Sequence, residues 1–391
     1  MSPMPAAALA SGALALFLLL GAAPAAAQAD KVAHGLALQA ARAKFVIVKA
    51  KKVFYTRRWD LSGLPVYRPR QQVSGTIRMW GSNYIEDSNL GKYWEEGFRK
   101  YQPGAHIAFH MKTATAAVPA LVFGVADIGV GRKITFAEQL LYERYENRDP
   151  LIISAATGSY DVTGWQPGYG IVVSKDNPLT CLSMQQLDGS FGAQRTGGWE
   201  GTSWHPEWAR GPQENLRTWG QLGLAGAWAV QPINPYGLNL RYHQATEMSD
   251  DILKGSDKWN ERLRIYANYV AKNGALGRGL KADLAKDRFG IAWIAAPTYR
   301  LPPQLKVLAI SDRTGGQCIP YTLETIHDRT YPLFSQIYMF ANRDGEGSVT
   351  PLVREFLRYV VSRQGQEAVE RDGKYLPLTA GVARQQVRKI Q

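Results

Sequence analysis

The sequence predicts an α/β protein whose sheets are mostly parallel and flanked by helices. Three observations lead there. Short alternating or continuously apolar runs recur along the chain, at 76–80, 105–111 ("AHIAFHM") and 126–131 ("ADIGVG"), and they have strand length. Stretches with helical spacing lie between them, which is the arrangement of crossover-connected parallel strands. The first run also ends in "RMWGSNY" (78–84), where a glycine and two small polar residues stand at a strand-to-helix junction. Such a junction either caps the helix or presents free N–H groups to an anion.

Each element follows from its pattern. After the strand at 76–80, Leu90, Tyr93, Trp94, Gly97, Phe98 and Tyr101 fall on one helical face. "QPG" (102–104) ends that helix, and "AHIAFHM" is a second strand. "AAVPALVFG" (116–124) reads as a short helix before the strand "ADIGVG". "DPLIISAATG" (149–158) and "YGIVVSKDNP" (169–178) read as buried strands. Residues 192–232 hold five tryptophans and many glycines with no clean period, so they read as an irregular aromatic insertion. A helix is expected over 247–273 with Trp259, Leu263, Tyr266 and Val270 on one side, then a strand at 287–295, and a last helix over about 350–370.

The chain of 391 residues carries a formal charge of +13, unevenly placed. Residues 31–70 hold ten basic side chains against Asp60 alone. No nucleic-acid-reading motif is visible. The basic segment suits an anionic membrane surface or an acidic partner, or is a solvated tail. Residues 1–27 read as a secretory signal peptide with cleavage after Ala27; the stretch before the apolar run lacks Lys and Arg, so a retained anchor is the alternative. Residues 28–74 form a basic N-terminal extension ending in the Pro- and Gly-punctuated "DLSGLPVYRPRQQVSG". Export to the periplasm makes Cys181 and Cys318 a candidate disulfide, the alternative being two buried thiols.

Catalytic chemistry finds no support. The six histidines form no HExxH or closely spaced cluster, and no nucleophile elbow, P-loop or dinucleotide fingerprint is present. His106 and His110 can share a strand face, a pairing more often structural than metal-binding. No cofactor, metal or catalytic residue is expected. The Trp-rich insertion either lines a groove for a larger ligand or cements itself.

Several blocks together resemble the phosphate-binding proteins of bacterial phosphate ABC importers. They are "ALVFGVADIGVGRKITFAE" (120–138), "LSMQQLDGSFG" with "RTWGQLGLAG" (182–226), "DRFGIAWIA", and most specifically "YPLFSQIYMFAN" (331–342) with "VREFLRYVVSRQGQEAVERDGKYLPL" (353–378). The resemblance runs from about 75 to 391. It implies a two-lobed periplasmic-binding-protein-like fold with hinge strands: lobe I from 75–168 and 331–391, lobe II from 169–330. It also implies an oxyanion held between the lobes and an ABC permease that receives it.

The implied ligand contacts are Ser82, Asn83, Thr113, Thr115 and Arg132 from lobe I, and Asn239 and Arg241 from lobe II. The site departs from the family pattern. "TATAA" (113–117) stands where the family has a Gly-Ser-Gly loop, Gly131 replaces a serine, and "NPYGLNLRYHQ" (234–244) lacks a Ser-Gly-Thr. The expected function is capture of phosphate or a related oxyanion. The alternatives are a larger ligand, or a periplasmic scaffold that keeps the fold without phosphate binding.

Overall fold

The computed structural model describes residues 50–240, 242–266 and 278–391. The signal-peptide reading of 1–27, the first part of the basic extension and Arg241 lie outside the described residues.

Among the described residues fourteen strands run in chain order. β1 (Gly75–Gly81), β2 (Ala105–His110), β3 (Ile128–Gly131) and β4 (Leu151–Thr157) come first. They are followed by β5 (Tyr169–Ser174), β6 (Cys181–Ser183), β7 (Gly198–Glu200), β8 (Ser203–His205) and β9 (Asn234–Leu238). β10 (Arg264–Tyr266), β11 (Gly290–Ala295), β12 (Leu305–Val307), β13 (Ala309–Ser311) and β14 (Gln336–Ala341) complete the set. They build two five-stranded sheets, ordered β2-β1-β3-β14-β4 and β10-β9-β11-β5-β12.

In the first sheet β1 runs parallel to β2 and β3, and β14 runs antiparallel to β3 and β4. In the second, β9 runs parallel to β10 and β11, and β5 runs antiparallel to β11 and β12. Each sheet thus has one reversed strand, and it is the strand that arrives from the other lobe. The fold is α/β and two-lobed, with mostly parallel sheets flanked by helices.

Burial follows the sequence pattern. Ile77 and Met79 alternate inward along β1, and the helix Leu90–Arg99 buries Leu90, Trp94 and Phe98 at intervals of one turn. β5 is buried at five consecutive positions, as expected of a strand covered on both faces. Two large cores result. One is built around Trp94, Phe98, Trp165 and Phe356, the other around Phe191, Trp219, Tyr236 and Trp293. No described helix is long and apolar enough to cross a membrane.

Cys181 at the start of β6 is disulfide-bonded to Cys318, with Cα atoms 6.0 Å apart and 137 positions apart in sequence. The bond is internal to the second lobe, where β6 pairs with β13.

Three expectations need correction. The helix expected over 247–273 is His243–Ile252, and β10 follows at Arg264–Tyr266. Lys254, Gly255 and Asp257 all take positive φ, a turn that no helix can run through. The last helix is two, Pro351–Val360 and Arg363–Asp372; Ser362 separates them and its side chain caps the second by accepting from Gly365 N. The described part of the basic extension is neither a tail nor a free linker. Leu61, Leu64 and Tyr67 are buried in the first core, while Tyr55 and Trp59 pack against both cores.

The Tyr55 hydroxyl donates to Asp161 Oδ1 at 2.9 Å and accepts from the backbone N–H groups of Tyr160 and Asp161. Trp59 stacks on His327 with ring centroids 3.7 Å apart, and Arg57 also lies over the Trp59 ring while pairing with Glu324 at 2.6 Å. Residues 54–59 therefore strap the crossover between lobes, touching the β4–β5 connection on one side and the helix Leu323–His327 on the other.

The Trp-rich insertion consists of the β7–β8 hairpin and a series of 3-10 turns. Trp219 and Trp228 are buried edge to face and cement it. Trp199 and Trp204 stay half-exposed, and Trp199 lies against Phe136 of the first lobe.

Candidate anion-binding cleft

Gly81 ends β1 with φ +138°, and a Cβ there would sit 1.9 Å from Val130 O. Only glycine allows that approach, and Ser82 N then donates to Val130 O at 2.9 Å. Ser82 is buried and its hydroxyl does not cap the five-residue helix Asn83–Asp87 that it opens. Asn83 donates its side-chain N–H to Asp87 Oδ2 at 2.7 Å, so it serves its own helix.

Trp80 lies opposite His110 in register, their rings 4.9 Å apart, which gives His110 an aromatic role. The chain then reaches Thr113 and Thr115, whose hydroxyls lie 3.0 Å apart. Ala114 packs on Gly131 at the end of β3. Ser82, Asn83, Thr113, Thr115 and Arg132 therefore gather at the carboxyl ends of three adjacent parallel strands, where ligands of open α/β sheets bind. Thr113 and Thr115 also line a cavity of about 290 Å³ with Trp80, Ala116, Pro119, Ala120, Phe123 and Val125, on the helix side of that edge.

Arg132 is buried and held bidentate by Glu138, at 2.8 and 3.0 Å. Glu138 also accepts from Thr135 N and Thr135 Oγ1 in the capping box of the helix Phe136–Glu146. Among the described residues Arg132 Nε has no partner. The guanidinium thus leaves its Nε–H without a partner, but its charge is matched by Glu138.

In the second lobe Asn239 follows β9, and its N–H donates to Tyr266 O. The helix His243–Ile252 starts four positions later and turns toward the first lobe. Lys133, next to Arg132, pairs with Asp250 at 3.2 Å and Asp251 at 3.3 Å. Burial disfavours its charge, yet the two carboxylates win and hold the amine above its usual range. Glu247 of the same helix is buried and accepts from Tyr169 Oη at 2.6 Å and from Gln166 Nε2 at 2.7 Å. Burial pushes its carboxyl up to about 7, against the Tyr169 hydrogen bond and the charges of Arg132 and Lys133.

Farther out, Thr202 donates to Glu143 across the same boundary. Along this edge the lobes thus meet through polar contacts and the Phe136–Trp199 pair. The sequence pattern did not single out Lys133, Glu247, Gln166 or Tyr169; only Lys133 had a local signal, as a second base at a strand end.

No family model matches the chain. A relative named phosphate-binding protein PstS, from Pseudomonas aeruginosa, is 27% identical over 328 residues, which cover 84% of this chain and 90% of the relative. Among solved structures, PstS from Borrelia burgdorferi matches 78% of this chain and 100% of its own at 13% identity and a TM-score of 0.49. A possible phosphate binding protein from Planctomyces limnophilus matches 82% and 98% at 16% identity and a TM-score of 0.46. The sequence match spans 84% of the chain, so the similarity to PstS extends over most of its length.

Proposed function

We propose that the chain is an exported solute-binding protein that captures phosphate or a related oxyanion between its lobes for an ABC importer. The observation that carries this reading is the convergence of Ser82, Thr113, Thr115 and Arg132 at the carboxyl ends of β1, β2 and β3, facing the helix His243–Ile252 of the other lobe. The Pseudomonas aeruginosa relative, named for phosphate binding, supports it. Lobe I comprises 75–168 and 331–391, and lobe II 169–330; Asn239 and Arg241 belong to the lobe II side. Binding needs donors and a closing hinge and no cofactor, so ligand bridges the lobes and biases them toward the closed form, which a permease recognises.

Periplasmic residence follows from the signal-peptide reading. Contact with an anionic membrane surface through 31–70 would rest on the bases other than Lys51, which donates to Ser88 O, Arg57, which pairs with Glu324, and Arg58, which pairs with Glu370.

One observation favours the scaffold alternative. Around Arg132 and Lys133 stand Glu138, Glu247, Asp250 and Asp251, so the cleft's acids outnumber the two bases named from that edge. Thermal melting of the mature chain with phosphate, sulfate, phosphonates and sugars separates the two. A specific oxyanion at 100 times its Kd adds about 2.7 kcal/mol, whereas unmoved melting with every anion leaves the scaffold.

A further inference from the structure

Arg329 combines two anomalies, one in its charge and one in its backbone, the second shared with six other non-glycine residues among those described. Each fully buried cation among the described residues has a carboxylate beside it: Arg132 has Glu138 at 2.8 Å, Arg195 has Asp188 at 2.7 Å, Arg210 has Asp188 at 3.4 Å and Lys374 has Asp372 at 3.2 Å. Arg329 is half-buried, and its guanidinium lies over the Phe334 ring and hydrogen-bonds only to neutral oxygens. Nε donates to Thr157 Oγ1 at 3.0 Å, Nη1 to Gln336 Oε1 at 2.9 Å and Nη2 to Ser154 Oγ at 2.8 Å. The neighbouring carboxylate, Asp328, is engaged by Thr330 N and Thr330 Oγ1. Burial lowers the guanidinium to about 10, with Tyr338 the one group acting against it. The second anomaly is in the backbone. Arg329 takes φ +64° just past the helix Leu323–His327, a position that usually goes to glycine. An L residue with a long cationic side chain in that conformation is a cost, and such costs collect at functional positions.

Its place gives the cost a purpose. Ser154 and Thr157 belong to β4, and Gln336 opens β14, so the guanidinium sits where the first sheet hands over to the second lobe. Gln336 Nε2 donates to Tyr338 Oη at 2.5 Å. The Tyr338 hydroxyl also feels the charges of Lys133, Glu247 and Asp251, the groups where the two lobes meet. The three neutral acceptors fix the plane of the guanidinium without matching its charge. Each terminal nitrogen carries a second N–H, so donors remain beyond those three bonds.

We propose that Arg329 is the cleft's cation without a carboxylate partner and a direct ligand of the captured oxyanion, the role that Arg132 cannot fill while Glu138 holds it. The inference rests on the oxyanion reading of the cleft and names the residue that makes it work. A bidentate guanidinium–oxyanion contact recognises the tetrahedral anion's paired oxygens, and a charge pre-oriented by neutral partners loses nothing by reorganising.

The test is phosphate binding by calorimetry, with melting in the absence of phosphate, for the mature wild-type chain, Arg329→Gln and Arg329→Lys. Losing one charge-assisted contact weakens binding by about 10- to 100-fold. The proposal expects that loss in Arg329→Gln, partial recovery in Arg329→Lys, and a phosphate-free melting temperature no lower than wild type, because an unmatched half-buried charge has been removed. Wild-type affinity in Arg329→Gln overturns the proposal while the cleft reading stands. A phosphate-free melting temperature that falls in both variants together with affinity makes Arg329 structural and also overturns it. A wild-type chain that binds neither phosphate nor sulfate overturns the cleft reading itself, and Arg329's role with it.

Discussion

Replacing Glu247 by glutamine should stabilise the protein at pH 8 and leave it unchanged near pH 4.5. Glu247 is buried between Tyr169 Oη and Gln166 Nε2, and its carboxyl is raised from an ordinary 4.5 to about 7, chiefly by burial. A folded-state value above the unfolded one means that the folded protein binds the extra proton. The contribution is fully present below about 4.5 and lost as pH rises through about 7. At about 1.36 kcal/mol per pH unit, that interval is worth on the order of 3 kcal/mol. Glutamine mimics the protonated acid and still accepts from Tyr169. Urea unfolding of both proteins at pH 4.5 and pH 8 measures the difference, and titrations common to the two cancel. The reasoning is refuted if glutamine is the less stable form at pH 8, or if the gap between the proteins is the same at both pH values.

Two further outcomes test the architecture. Trp59→Ala removes the ring in contact with Arg57 and His327 and packed on both cores; for a half-buried tryptophan the loss should be about 2 kcal/mol in urea unfolding, and a loss under about 0.5 kcal/mol would return the extension to a tail. Replacing Cys181 and Cys318 with serine opens a loop of 137 positions, so unfolding should cost up to about 5 kcal/mol less, with an unchanged midpoint arguing that the bond does not form in the purified protein.

The strands read from the sequence were legible because each carries its pattern locally, whereas β9, β10 and β12 of the second sheet are short and were not read as strands. β1 alternates, β4 and β5 are continuously apolar, and Gly81 marks a junction whose need for glycine, contact with Val130, is backbone geometry. The failures have equally local causes. The helix expected past Ile252 was drawn from apolar spacing alone, and "KGSD" with its run of positive φ outweighs that spacing. The strap was hidden by its own basic charge, which drew attention from Tyr55, Trp59, Leu61, Leu64 and Tyr67.

Site residues were harder. Ser82, Thr113, Thr115 and Arg132 could be placed because parallel strands bring their carboxyl ends to one edge. Their occupancy could not be read, since Asn83 turns to Asp87 and Arg132 to Glu138. Arg329 meets Ser154 and Thr157 across 175 and 172 positions, and Glu247 meets Tyr169 across 78. Such contacts exist only after the lobes assemble.

The most direct measurement is the separation of the two lobes with and without phosphate. Spin labels at Lys92→Cys on the first lobe and Lys175→Cys on the second would report it, since both native cysteines are joined to each other. Phosphate should draw a broader set of distances into one short, narrow one, and sulfate or phosphonate should do so in proportion to affinity. An identical distribution at every phosphate concentration up to millimolar would contradict capture of an oxyanion between the lobes.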